Sequence, residues 1–123
     1  MATSKNPARD KSFAFSVKLI KVIRDVRTQQ KEFTLTEQLL RSGTSIGANI
    51  EEGTGAFSEK DFHFKFSIAY KEARETHYWL RLLKSADYLD ESICNELIQD
   101  VEEILRITGS IIKTMKSKKE LKN

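Results

Sequence analysis

The stretch from Gln38 to Gly53, QLLRSGTSIGANIEEG, constrains the fold more than any other part of the chain. Its apolar residues recur at helical spacing, with Leu39, Ile46 and Ile50 on one stripe, yet small residues fill the positions between them. A glycine inside a helix costs about 1 kcal/mol relative to alanine. Such a helix is expected where another segment approaches closely or a polar contact is buried. The pair Gly43 and Gly47 predicts that a bulky residue of the third helix packs onto bare backbone here.

Composition favours one helical domain. The 123 residues are 39% hydrophobic and 32% charged, and the single proline, Pro7, precedes every periodic segment. One cysteine, Cys94, excludes an intramolecular disulfide and is expected to be a buried free thiol. No run of apolar residues is long enough for a membrane span, and the polar N-terminus does not resemble a signal peptide. We therefore expect no contact with a membrane and a cytoplasmic location.

Four amphipathic helices follow from the hydrophobic periodicity. The first is expected from about Ser12 to Gln30, and the second from Thr34 to Thr36 onward, where Thr34 and Glu37 match a capping box. The third is expected over about 59–86 and the fourth from Asp90. Short loops predict an antiparallel, up-down-up-down four-helix bundle over 11–117, preceded by a disordered arm, 1–10, and followed by a basic tail, 118–123.

The starts of the last two helices carry further signals. Ser58 is the expected N-cap of the third helix, with Phe57 and Phe62 placed as a hydrophobic staple across it. The third helix then shows two apolar stripes, more than one neighbour can cover. We predict a homo-oligomer whose interface includes Tyr78, Trp79 and Leu82. The alternative is that the first and fourth helices cover both stripes within one monomer.

A polar stripe runs along the second helix at spacings of four, four and three, formed by Arg41, Ser45, Asn49 and Glu52. In an antiparallel pair, Arg41 comes level with about residues 69–72 of the third helix, within reach of either Glu72 or Glu75. An arginine–carboxylate pair with added hydrogen bonds fits a structural network that fixes the register of the helices. The alternative is a site that faces a ligand or a nucleic acid.

The net charge of +3 is unevenly distributed, because basic ends flank an acidic segment over 90–106. Basic residues on the first helix and in the tail are candidates for phosphate contacts. They are Lys18, Lys21, Arg24, Arg27, Lys116, Lys118 and Lys119. Without aromatic residues among them, base stacking is not expected. The alternative is an ordinary solvated face.

Nothing in the chain predicts catalysis, a metal or a cofactor. A di-iron bundle needs Glu-x-x-His on two helices, whereas His77 follows Glu75 after a single residue and His63 has no carboxylate three residues before it. The glycines are not a phosphate loop, because no lysine follows them and no strand precedes them.

The segments RSGTSIGANIEEG, SEKDF and IAYKEARETHYWLRLL, in this order, resemble the bacterial 23S rRNA-intervening sequence proteins, also called the four helix bundle protein family and once labelled S23 ribosomal proteins. The resemblance covers about 13–115. It implies a fold similar to that of the accessory proteins of diversity-generating retroelements, and a ring-shaped homopentamer. Its motif falls on Arg41, Ser45, Asn49, Glu52, Lys71, Glu72, Glu75, Tyr78 and Trp79. It implies no catalytic activity.

Residues and resemblance together predict a non-enzymatic, oligomeric four-helix bundle that binds structured nucleic acid, RNA before DNA, through basic surfaces. The alternative is a protein–protein interaction scaffold that binds no nucleic acid.

Overall fold

The computed structural model describes residues 6–122 of the chain, and these residues form four α-helices and no strand. The prediction of an all-α, four-helix protein is confirmed. The helices are α1 (Pro7–Gln30), α2 (Thr34–Thr54), α3 (Glu59–Ser85) and α4 (Glu91–Lys122). Each helix contacts the next one in the chain, and α4 also contacts α1.

One apolar core lies between the helices, and every helix contributes residues that are almost fully inaccessible to solvent. Among the largest are Phe15 and Leu19 of α1, Ile46 of α2, Leu80 of α3 and Leu97 of α4. Cys94 is also in this core as a free thiol, and its Sγ lies 3.1 Å from the carbonyl oxygen of Leu80. Burial raises the pKa of the Cys94 thiol, so the neutral form is favoured.

The glycines of α2 lie where neighbouring helices approach its backbone. Gly43 faces the buried side chain of Leu19, and Gly47 faces Ser12, so both contact α1. The prediction that they receive a bulky residue of the third helix is wrong. The residue in that role is Gly53, where an added Cβ would lie 2.8 Å from the Phe66 ring.

The geometry of an α-helix explains this difference. Ser42 faces α3, where its Oγ lies 2.9 Å from Thr76 Oγ1. One step along the chain turns the direction of a side chain by about 100°, which carries the next position, Gly43, toward α1. Small residues on two sides of α2 therefore serve two different neighbours.

The helix α1 begins earlier than the sequence predicts. Asn6 caps it, because its Oδ1 accepts a hydrogen bond from the Arg9 amide at 3.1 Å, and Pro7 occupies the first turn. Ala8 is buried in the core. The predicted disorder is therefore wrong for 7–10, while residues 1–5 lie outside the described part of the chain.

Two predicted helix starts are also wrong in detail. At α2 no capping box forms between Thr34 and Glu37, since Glu32 Oε1 accepts the amide hydrogens of Leu35 and Thr36 at 2.8 and 2.9 Å. At α3 Ser58 is the cap, as predicted. The predicted staple does not form, because Phe57 is fully exposed.

At the other end of the chain, α4 continues as helix through Lys122, so the basic segment is not a separate tail beginning at 118. Its N-terminus is capped by Asp90, whose Oδ2 accepts the Ile93 amide at 3.2 Å.

The close approach at Gly53 leads to a comparison of two glycine substitutions. Both Gly53→Ala and Gly47→Ala gain the helix propensity of alanine, but only at Gly53 must a buried ring move, because the nearest atom to a Cβ at Gly47 is 3.5 Å away. We expect Gly53→Ala to be less stable than Gly47→Ala by about 1–3 kcal/mol. Urea denaturation followed by circular dichroism measures this difference. Equal stabilities would mean that Phe66 does not press on the α2 backbone.

Candidate nucleic-acid interface

The four basic residues predicted on the first helix do not form one surface. Lys18 points toward α4, where its Nζ lies 2.6 Å from Glu96 Oε1 and 2.7 Å from Asp100 Oδ2. Hydrogen bonds to Asp100 and Glu96 raise the pKa of Lys18. A lysine that binds two carboxylates of its own chain has little positive field left for an RNA phosphate.

Arg27 points the other way, toward α2. Its Nε donates to Thr36 Oγ1 at 3.0 Å, and its Nη2 lies 3.1 Å from Glu37 Oε2. Lys18 and Arg27 are nine residues apart, which is about half a turn around a helix. The even spread of basic residues on α1 thus brings them to different neighbours.

Lys21 and Arg24 are the two predicted phosphate contacts of α1 that face solvent. Lys21 is exposed and makes no ion pair with the described residues. The Arg24 side chain is 70% exposed, and its Nε is 3.9 Å from Asp25 Oδ1, the longest ion-pair distance in the described chain. These two are available, but alone they are a small basic patch.

The C-terminal part of α4 holds the denser positive charge. Lys116, Lys118 and Lys119 are exposed there, as is Lys113, which was not among the predicted contacts. None makes an ion pair with a described residue, and Glu120 is the one acidic residue from 113 to 121. The positive charge is therefore not neutralised by the fold.

A further lysine belongs to the same end of the molecule. Glu102 of α4 lies 3.4 Å from His77 of α3, and Gly109 lies against Tyr70, so later residues of α4 meet earlier residues of α3. When the same pairing of α3 with α4 is extended toward the end of α4, the last turns of α4 lie level with Lys60. We call Lys60, Lys113, Lys116, Lys118 and Lys119 the basic end. Lys60 was missed because only the α3–α4 register relates it to the tail.

The predicted polar stripe of α2 divides into two kinds of contact. Arg41 reaches α3, where its Nη1 lies 3.4 Å from Glu72 Oε2 and its Nη2 bonds Glu75 Oε2. Trp79 Nε1 donates to the same Glu75 oxygen at 2.9 Å. Glu52 likewise reaches α3 and lies 2.8 Å from Lys65 Nζ.

Ser45 and Asn49 do not take part in these cross-helix contacts. Ser45 Oγ donates to the Arg41 carbonyl at 2.6 Å, and Asn49 Nδ2 donates to the Ser45 carbonyl at 2.8 Å, both within α2. Arg41 itself is about half exposed. The stripe is thus a partly solvated set of ion pairs rather than a buried network.

The buried polar contact between α2 and α3 is a different one, which was not predicted from the sequence. Ser42 and Thr76 are both fully buried, and their hydroxyl oxygens are 2.9 Å apart. Thr76 Oγ1 also lies 2.8 Å from the Glu72 carbonyl. The available signal was the position of each residue on the apolar stripe of its helix, where a polar side chain needs a partner.

The predicted interface residues differ in exposure. Tyr78 is 49% exposed, whereas Trp79 and Leu82 are half-buried, and the Tyr78 and Trp79 rings meet edge to face at 5.1 Å. Larger apolar exposure lies on α1, at Phe13, Val17 and Ile20. It was not predicted, because the sequence pattern indicates a basic outer side for α1.

Within the part of the chain that the structure describes, no three His, Cys, Asp or Glu side chains are grouped as metal ligands. None of the described helices combines the length and apolar character needed to cross a bilayer.

Comparison with known proteins gives two related findings. The family model described as 23S rRNA-intervening sequence protein matches residues 4–110. A 1.70 Å crystal structure of a protein of unknown function from the S23 ribosomal protein family of Bacteroides thetaiotaomicron is 44% identical, with a TM-score of 0.84. The alignment covers 86% of this chain and 98% of that one. No curated protein matches the chain.

The buried hydroxyl pair predicts a measurable cost for Thr76→Val. The matched control is Thr108→Val. Thr108 is equally buried, but its hydroxyl bonds only carbonyl oxygens of its own helix, and the shortest of these distances is 2.8 Å, from Thr108 Oγ1 to the Ile104 oxygen. We expect Thr76→Val to lose about 1–2 kcal/mol more than Thr108→Val, since it also removes the contact with Ser42. Adding Ser42→Ala to Thr76→Val should recover part of the loss. Equal losses in the two single variants would show that the Ser42 contact contributes nothing.

Proposed function

The chain belongs to the 23S rRNA-intervening sequence protein family, and on that premise we propose that it is a non-enzymatic protein that binds structured RNA through its basic end. The observation that carries this proposal is the group of exposed lysines, Lys60, Lys113, Lys116, Lys118 and Lys119, which have no carboxylate partner among the described residues. RNA is the polyanion that the family description itself mentions. We place this activity in the cytoplasm.

The chemistry of the basic end favours recognition of the phosphate backbone. Lysine acts as a compact point charge that neutralises phosphates and releases counterions, whereas base recognition needs stacking or groove contacts. The C-terminal segment from 113 to 121 contains no aromatic residue, so it offers no platform for unpaired bases. Both points support a structured, duplex-rich RNA as the ligand.

We further propose that the bundle is antiparallel, up-down-up-down, and that copies assemble into a ring, with the pentamer that the family resemblance implies. Contacts between α2 and α3 support the antiparallel arrangement. Ser42 of α2 meets Thr76 of α3. Gly53, which comes eleven residues after Ser42 in α2, meets Phe66, which comes ten residues before Thr76 in α3. In a ring the basic end is repeated at one edge. Linked weak sites raise the overall affinity through effective concentration, which makes a modest patch sufficient.

The test is the binding of a fluorescently labelled hairpin RNA, measured by anisotropy at several salt concentrations. We expect the logarithm of the association constant to fall linearly with the logarithm of salt concentration. In the variant Lys116→Gln with Lys119→Gln, the slope should decrease by about one unit for each phosphate that is no longer neutralised, with weaker binding at low salt.

The matched control is Lys31→Gln with Lys84→Gln, which removes the same charge from the opposite end of the helices. Its slope should equal that of the parent protein. Equal effects of the two variants would contradict the assignment to the basic end. No binding at low salt by folded protein would contradict RNA binding altogether and favour the alternative function, a protein–protein scaffold.

A further inference from the structure

A groove lies between the last turns of α1 and the first turns of α2, and the residues that connect the two helices help to line it. Its volume is about 540 Å³. Pockets that hold small molecules in proteins typically have volumes of about 300–1,000 Å³. We call this feature the α1–α2 groove, and its size is suitable for a small organic molecule.

The α1–α2 groove has an apolar surface. Ile23 is buried and Leu40 is half-buried, so these two side chains form its floor. Ile20 and Phe33 are 50 and 56% exposed and form its sides. An aromatic or aliphatic group that lay in the groove would remove apolar surface from water on both helices, which favours binding.

The charge around this apolar surface has one sign. Of the described residues that line the groove, Arg24, Arg27 and Lys31 are basic and none is acidic. The Arg24 side chain is 70% exposed, and its Nε is 3.9 Å from the carboxylate of Asp25. Lys31 is exposed and makes no ion pair with a described residue. The groove is therefore complementary to a ligand that carries negative charge.

Arg27 is held in position before any ligand binds. Its Nε donates to Thr36 Oγ1 at 3.0 Å, its Nη2 lies 3.1 Å from Glu37 Oε2, and its guanidinium carbon is 5.9 Å from the centre of the Phe33 ring. A guanidinium has more N–H donors than these two hydrogen bonds use, so donors remain for an anion. Because the side chain is already ordered, binding an anion there loses little conformational entropy.

We propose that the α1–α2 groove binds a small amphipathic anion, with an aromatic or aliphatic body that ends in a carboxylate, sulfonate or phosphate group. The apolar body lies against Ile23 and Leu40, and the anionic group lies among the three basic side chains. A phosphate backbone would leave the apolar floor without a partner, so the surface favours a small ligand over RNA.

This site is separate from the basic end. Lys31 precedes α2 and Lys60 follows it, and a helix of 21 residues is about 30 Å long. The inference therefore goes beyond RNA binding and does not depend on it.

The test compares two aromatic probes that differ in charge. Anilinonaphthalene sulfonate becomes fluorescent when it leaves water, and neutral phenylnaphthylamine has the same rings without the sulfonate. Each is titrated into the full chain without RNA. We expect the sulfonate to bind about tenfold more tightly than the neutral probe, with an affinity that falls as salt concentration rises. Equal affinities, or no saturable binding of the sulfonate, would overturn the proposal.

A double variant tests whether the exposed cations of the groove bind the anionic group. Arg24→Gln with Lys31→Gln should weaken sulfonate binding about tenfold and leave the neutral probe almost unaffected. The matched control, Lys71→Gln with Arg74→Gln, removes one lysine and one arginine from exposed positions of α3 and should bind like the parent chain. Equal losses in the two double variants would show that net charge alone matters, and would overturn the assignment to the groove.

A third variant should gain affinity, which a loss of folding could not produce. The Glu37 carboxylate neutralises part of the charge of Arg27. In Glu37→Gln this effect is removed, so the sulfonate should bind about threefold more tightly. An unchanged or weaker affinity would overturn the role given to Arg27 in the site.

Competition distinguishes a small anion from a nucleic acid. Decanoate, an aliphatic carboxylate, should displace the bound sulfonate, whereas the hairpin RNA should not. Displacement by the RNA alone would show that the groove binds nucleic acid and would overturn the proposal. The basic end is unaltered in all of these variants, so their RNA binding is measured independently, and failure of one proposal is distinguished from failure of the other.

Discussion

Close contact between the small residues of α2 and the side chains of its two neighbours is the constraint on which the rest of the structure depends. Leu19 of α1 packs on the backbone at Gly43, and Phe66 of α3 packs on the backbone at Gly53. Larger side chains at these positions would separate the helices. Between them the buried hydroxyls of Ser42 and Thr76 satisfy each other, so α2 is fixed on two sides at once.

This arrangement determines where the charged residues lie. With α1 held against α2, its opposite side meets α4, and the acidic segment of α4 receives the lysines of α1: Glu103 pairs with Lys11, and Asp100 pairs with Lys18. These ion pairs within the molecule neutralise acidic residues of α4 and much of the basic charge of α1. Lys113, Lys116, Lys118 and Lys119, on the last turns of α4, have no such partner among the residues that the structure describes. They supply the positive surface that we assign to RNA.

The sequence was sufficient for the features that depend on one helix or on one adjacent pair. Hydrophobic periodicity predicts all four helices, Ser58 predicts the start of α3, and spacing brings Arg41 to Glu72 and Glu75. The resemblance to the family could also be recognised from the sequence, because each motif is a continuous stretch of residues. These features need no knowledge of how distant helices are rotated about their axes.

Rotation and register account for what could not be predicted. Whether Gly43 meets α1 or α3 depends on a turn of about 100°, and the division of Lys18 and Arg27 between two neighbours depends on the same angle. The exposed apolar side of α1 was hidden by the lysines and arginines that alternate with Phe13, Val17 and Ile20 in sequence. At the start of α2, Glu32 competes successfully with Thr34 for the free amides, which local patterns alone do not decide.

Amide hydrogen exchange in α2 tests most directly whether close packing supports this helix. A segment of glycine, serine and threonine has low intrinsic helix propensity, so its protection must come from tertiary contact. We predict that the amides of 43–50 exchange only through global unfolding, with protection equal to the free energy of unfolding of the whole domain. Exchange of these amides by local opening, well ahead of the core of α3 and α4, would contradict it.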